Sequence, residues 1–82
     1  MNIQVSNLSL NTADADVRKL FSPFGIVDSA MVNRNKFNGR SKGSAIINMP
    51  VEAQGRQAII SLHQTLMDGK KISVDEMRES FF

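Results

Sequence analysis

Between positions 34 and 42 the chain carries Arg34, Lys36, Arg40 and Lys42 with no acidic residue among them. Asn35, Asn38 and Gly39 lie in the same stretch, so it reads as a hairpin loop that holds its charges in solvent. Guanidinium and ammonium groups so placed offer charge-assisted hydrogen bonds to phosphate or carboxylate oxygens. A solvated hairpin tip would have the same composition. Phe37, in the middle of the run, either offers a ring to a stacking partner or packs over the hairpin. Net charge is only +2, so the argument for an anionic partner rests on this local pattern.

Bond-making chemistry has little to work with elsewhere. There is no Cys and one His, which leaves no disulfide, thiolate metal site or Cys nucleophile and argues against a His-centred dyad. No metal, no cofactor and no enzymatic activity are expected. Eighty-two residues make one domain, and a chain of that size buries only ~60% of its unfolded surface. No apolar run approaches the ~18 residues of a membrane span, and a first strand starting almost at Met1 leaves no space for a signal peptide. Cytoplasmic residence without membrane association is therefore expected.

The elements that must position the cations follow from periodicity. Ile3 and Val5 alternate with Gln4 and Ser6 in a half-buried strand. Asn11 or Thr12 can cap a helix with Asp14 and Asp16 in its first turn and Val17, Leu20 and Phe21 as its core stripe, ending at Pro23 and Gly25. Ala30 and Val32 alternate with Ser29, Met31 and Asn33 in a second strand, and the basic loop leads into a third at about 43 to 49. Pro50 suits the first turn of a second helix, with Ala53, Ala58, Ile59 and Leu62 toward its buried side and Gly55 weakening it by ~1 kcal/mol. Ile72 and Val74 alternate with Lys71, Ser73 and Asp75 in a last strand. The order is βαββαβ, an α+β ferredoxin-like arrangement: a four-stranded antiparallel sheet with two helices on one face and the other face open.

Several segments are similar to those of a known family. Lys42-Gly43-Ser44-Ala45-Ile46-Ile47-Asn48-Met49 resembles the RNP1 strand of the RNA recognition motif (RRM), a basic residue, Gly, aromatic, small residue, aromatic, aliphatic. Ile3-Gln4-Val5-Ser6-Asn7-Leu8 resembles RNP2. Residues 17 to 27, 35 to 41 and 68 to 74 are similar to the family's first helix, its loop between strands two and three, and its fourth strand. The likeness spans about 75 residues in the right order and is closest in style to small single-domain RRM proteins of bacteria. It implies one RRM over residues 1–78 with a short tail at 79–82. It also implies that Ala45, Ile47 and Met49 point into the core and Ser44, Ile46 and Asn48 outward, which period two alone leaves open because Ile46 and Ile47 are both apolar.

One departure governs the functional reading. Gln4 stands where RNP2 normally has Phe or Tyr, and Ser44 and Ile46 stand where RNP1 has its two rings. RRMs typically stack two or three bases on those rings. The resemblance therefore implies single-stranded RNA binding that is weak and low in sequence specificity, through a sheet face of Gln4, Ser6, Met31, Asn33, Ser44, Ile46 and Asn48 and a basic loop of Arg34, Lys36, Phe37, Arg40 and Lys42. The alternative is an RRM that grips a protein partner or a second copy of itself through the ringless face or the helices. Phe81 and Phe82 at the end of the chain can give rings to a partner, cross the open face, or fray. A third class, an enzyme of the related acylphosphatase architecture, needs a cation in the loop after strand one. Residues 6 to 11 contain none.

Overall fold

The structure is a computed structural model and describes residues 1–77. β1 (Asn2–Ser6) leads to α1 (Asp14–Phe21), a 3-10 turn at Ser22–Phe24, β2 (Ser29–Arg34), β3 (Ser41–Asn48), α2 (Glu52–Leu62), a two-stranded hairpin of β4 (Leu66–Met67) and β5 (Lys70–Lys71), and β6 (Ser73–Glu76). The main sheet is antiparallel throughout, in the order β2-β3-β1-β6. Both helices pack on one face. Alternation sends Ile3, Val5, Ala30, Val32, Ala45, Ile47 and Val74 into one core with Val17 and Phe21 of α1 and Ala58 and Leu62 of α2. Of the two adjacent isoleucines it is Ile47 that is fully buried and Ile46 that is half-exposed, as the RRM frame implies.

Helix α1 starts one or two residues later than the capping candidates suggest. Its N-cap is Ala13, which has no side-chain oxygen, and Asp16 reaches back to accept a hydrogen bond from the Ala13 N–H (2.9 Å). Thr12 instead sits 1% exposed in the preceding loop, and its Oγ1 is buried without a hydrogen-bond partner. A hydroxyl removed from water and left unpaired costs ~1–3 kcal/mol. Thr12→Val, which keeps the shape and removes the hydroxyl, should raise unfolding stability by ~1 kcal/mol in a urea titration; an equal or lower midpoint would mean that the hydroxyl is satisfied in solution.

Two further expectations are corrected. Pro50 precedes α2 rather than entering its first turn, and Ala53 is solvent-exposed, the buried residues being Gly55, Ala58 and Leu62. Gly55 is buried where Met1 crosses the helix, so its missing side chain serves packing. Each outer strand of the sheet also has a backbone N–H held by a helix-side residue. Asp14 Oδ1 accepts from Val32 N–H (2.8 Å) on β2, and His63 Nδ1 accepts from Val74 N–H (2.9 Å) on β6. These bonds satisfy donors at edges that would otherwise offer them to another strand.

Candidate nucleic-acid interface

The face opposite the helices carries three rows of side chains set by strand register. The central row is Met31, Ile46, Gln4 and Asp75: Met31 pairs with Ile46, Ile46 with Gln4, and Gln4 with Asp75. Two of the positions that hold rings in other RRMs, Gln4 and Ile46, are therefore immediate cross-strand neighbours, ~5 Å apart at Cβ. Ser44, the third, lies two residues along β3 on the same face. Met31 is 64% exposed and Gln4 is exposed, so the centre of this face is open to solvent.

The flanking rows are polar and partly bonded among themselves. Asn33 donates through Nδ2 to Ser44 Oγ (2.9 Å), and Asn48 donates through Nδ2 to Asn2 Oδ1 (2.7 Å). Ser6 pairs with Ser73 across the β1–β6 boundary. A base edge must compete with these bonds for Asn33, Ser44 and Asn48. Gln4 makes no side-chain hydrogen bond among the described residues and retains its full amide.

The basic loop is built by its own asparagines. Asn35 N–H donates to Arg40 O (2.8 Å) and Gly39 N–H to Asn35 O (2.9 Å), closing the hairpin. Asn35 Oδ1 accepts from the N–H groups of Phe37 (2.8 Å) and Asn38 (3.3 Å), and Asn38 Oδ1 accepts from Arg40 N–H (2.9 Å). These Asx-type bonds fix the backbone while leaving the charged side chains outward. Arg34 Nη1 donates to Gly39 O (3.3 Å). Lys36, Arg40 and Lys42 are exposed, and among the described residues the one ion pair in the molecule is Arg56–Glu52. Phe37 is 96% exposed at the tip, so it does not pack over the hairpin.

Gly43 ties the loop to the sheet. It adopts φ +75°, next to an irregularity in the β2–β3 register between Val32 and Arg34, and its carbonyl accepts the Leu8 N–H (2.8 Å). A Cβ there would stand 3.2 Å from Leu8 O. Left-handed backbone costs an L-residue ~1–2 kcal/mol. Gly43→Ala should lower stability by about 1–2 kcal/mol, read as a fall in the thermal or urea midpoint, and a neutral result would contradict this account of the RNP1 glycine.

Sequence reasoning missed the β4–β5 hairpin. Met67 pairs with Lys70 across the two-residue turn Asp68–Gly69, with φ +52° and +78°, the positive-φ pair of a type I′ turn. Asp-Gly between two short runs was the available signal. The hairpin turns Lys70 and Lys71 outward at the head of β6, and Asn7 Nδ2 donates to Lys71 O (2.8 Å), holding it beside the end of β1. Lys71 therefore belongs to the hairpin and not to the last strand. Phe81 and Phe82, with the rest of the tail from residue 78, lie outside the described residues.

An antiparallel β2-β3-β1-β6 sheet with both helices on one face, an RNP1-like middle strand and an RNP2-like neighbour define an RRM-type domain. The family profile of the RNA recognition motif matches residues 3–73, and the chain belongs to that family. Its relatives include glycine-rich RNA-binding protein 1 of Mycosarcoma maydis, 32% identical over 73 residues, which are 89% of this chain and 42% of that protein. They also include the putative RNA-binding protein RbpD of the cyanobacterium Nostoc sp., 30% identical over 95% of this chain and 83% of the relative. The chain thus spans less than half of the fungal protein and most of the bacterial one. Among solved structures, RNA Binding Protein PG1 superposes with a TM-score of 0.94 at 34% identity, covering 100% of this chain and 99% of that one. The Sex-lethal RNA recognition domains of Drosophila melanogaster share the fold, with a TM-score of 0.90 at 24% identity over 95% of this chain and 50% of theirs. No helix among the described residues is long and apolar enough to cross a membrane, and they hold no cluster of metal-ligating residues.

Proposed function

We propose that this domain binds single-stranded RNA non-enzymatically, weakly and with little sequence preference, as a soluble cytoplasmic protein. Its site comprises Gln4, Ser6, Met31, Asn33, Ser44, Ile46 and Asn48 on the sheet and Arg34, Lys36, Phe37, Arg40 and Lys42 in the loop. The observation that carries this reading is the pairing of an open RRM sheet face without rings with an adjoining loop whose cations point to solvent. Each base-aromatic stack is worth ~1–3 kcal/mol, so three missing stacks forfeit roughly 3–9 kcal/mol. Hydrogen bonds from the sheet face return only ~0.5–1.5 kcal/mol each against water. The backbone term remains, and it positions a strand without reading sequence.

A protein-binding role has one observation in its favour, the exposed apolar pair Met31 and Ile46. Two side chains fall far short of the ~800 Å² per partner of a specific interface. RNA is therefore the preferred ligand. Labelled single-stranded RNA pools of contrasting base composition should bind with affinities within about tenfold of one another, ~1.4 kcal/mol. Preference for one sequence by a much larger factor would contradict low specificity, and absence of binding to every pool at low salt would contradict RNA binding itself.

A further inference from the structure

The topology gathers six of the ten basic residues at one end of the sheet. Arg34 pairs with Ser41 at the end where β2 stops and β3 begins. Leu8 N–H meets Gly43 O there, which brings in the end of β1. Ser6 pairs with Ser73, and Asn7 holds Lys71 O, which adds the start of β6 and the hairpin before it. Arg34, Lys36, Arg40 and Lys42 thus stand on the β2–β3 side, and Lys70 and Lys71 on the β6 side. The gap between them is two to three strand spacings, ~10–14 Å. Ser6, Asn7 and Ser44 lie within that gap.

Acidic groups collect away from this end. Asp28 precedes β2, with its N–H on Asn48 O at the far end of β3. Glu76 pairs with Ile3 near the start of β1, and Asp75 lies beside Gln4 in the middle of the face. Asp68, at the hairpin tip, lines a groove with Asp16, Lys19 and Leu20 of α1 and so lies toward the helical side.

From this arrangement we propose that Lys70 and Lys71 form a second phosphate-binding arm, which clamps an RNA backbone against the basic loop so that the strand runs across the β-strands at the cationic end of the sheet. The inference rests on the RNA-binding reading and adds its geometry. A polyanion laid along the strands would run from the cations into Asp75, Glu76 and Asp28. One laid across them meets two cationic flanks at a spacing only an oligonucleotide can span. The type I′ turn and the Asn7 bond fix the hairpin before the ligand arrives, which lowers the ordering cost of binding. Neither lysine makes a side-chain hydrogen bond or ion pair among the described residues, so both are free for phosphate.

The test compares three full-length proteins with a labelled single-stranded oligonucleotide across a salt series: wild type, Lys70→Ala/Lys71→Ala, and the four-Ala loop variant. Single strands contribute a slope of ~0.7 per phosphate neutralised. The hairpin variant should lose about 1.4 from the slope of log Kd against log salt and bind about 25-fold more weakly at ~0.1 M salt. Lys70→Arg/Lys71→Arg should keep the wild-type slope, which separates lost charge from a disturbed hairpin. A hairpin variant with the wild-type slope, while the loop variant loses its own, overturns the clamp and leaves RNA binding standing. No binding by wild type even at low salt overturns both.

Discussion

With Arg34, Lys36, Arg40 and Lys42 all replaced by Ala, affinity for single-stranded RNA at ~0.1 M salt should fall by as much as about 600-fold, the yield of four phosphate contacts at ~0.7 each per decade of salt. The fold should be untouched. The loop backbone is held by Asn35 and Asn38 and by main-chain bonds, and only Arg34 adds a side-chain contact, to Gly39 O. Fluorescence anisotropy across a salt series, with circular dichroism to confirm folding, checks both halves of the expectation. A folded variant that keeps wild-type affinity and slope would remove the loop from the interface.

The second large effect is a gain. Gln4→Tyr, Ser44→Phe and Ile46→Phe together restore rings at the three positions where RRMs place them. All three side chains are on the open face, Gln4 and Ile46 directly opposite one another, so added bulk meets solvent rather than core. RNA binding should tighten at least about tenfold, ~1.4 kcal/mol, well below the ~3–9 kcal/mol of three ideal stacks. Two local features hold the gain down. The Ser44 change breaks the bond from Asn33, and Met31 crowds the ring at position 46 from the neighbouring strand. The restored term should also be insensitive to salt, so the triple variant should gain affinity with no change of slope. A folded triple variant with unchanged affinity would mean that this face does not meet RNA.

The βαββαβ order, the inward set Ala45, Ile47 and Met49, and the meeting of Met31 with Ile46 were all legible in the sequence, because period-two alternation and the RNP frame each fix a face. The start of α1 was not. Asn11 and Thr12 are better caps than Ala13 by residue type, but Asp16 supplies the acceptor from inside the helix and the packing draws Thr12 under it. The β4–β5 hairpin was hidden because its strands are two residues each, too short for periodicity to register, and only Asp68–Gly69 marked it. That omission matters for the interface, since Lys70 and Lys71 read as part of a last strand until Asn7 is seen holding Lys71 at the cationic end. The loop cations were recognisable as a group. That Phe37 stands clear of the hairpin followed only from the Asx bonds that turn the loop tip outward.

The most direct test of the central claim, that this RRM holds RNA by its charge and not by stacked bases, is the salt dependence of wild-type binding to a single-stranded oligonucleotide. Six cations at ~0.7 each predict a slope of log Kd against log salt of about 4, or about 3 if the loop acts alone, with micromolar or weaker dissociation constants near physiological salt. Nanomolar binding that persists as salt is raised would contradict it.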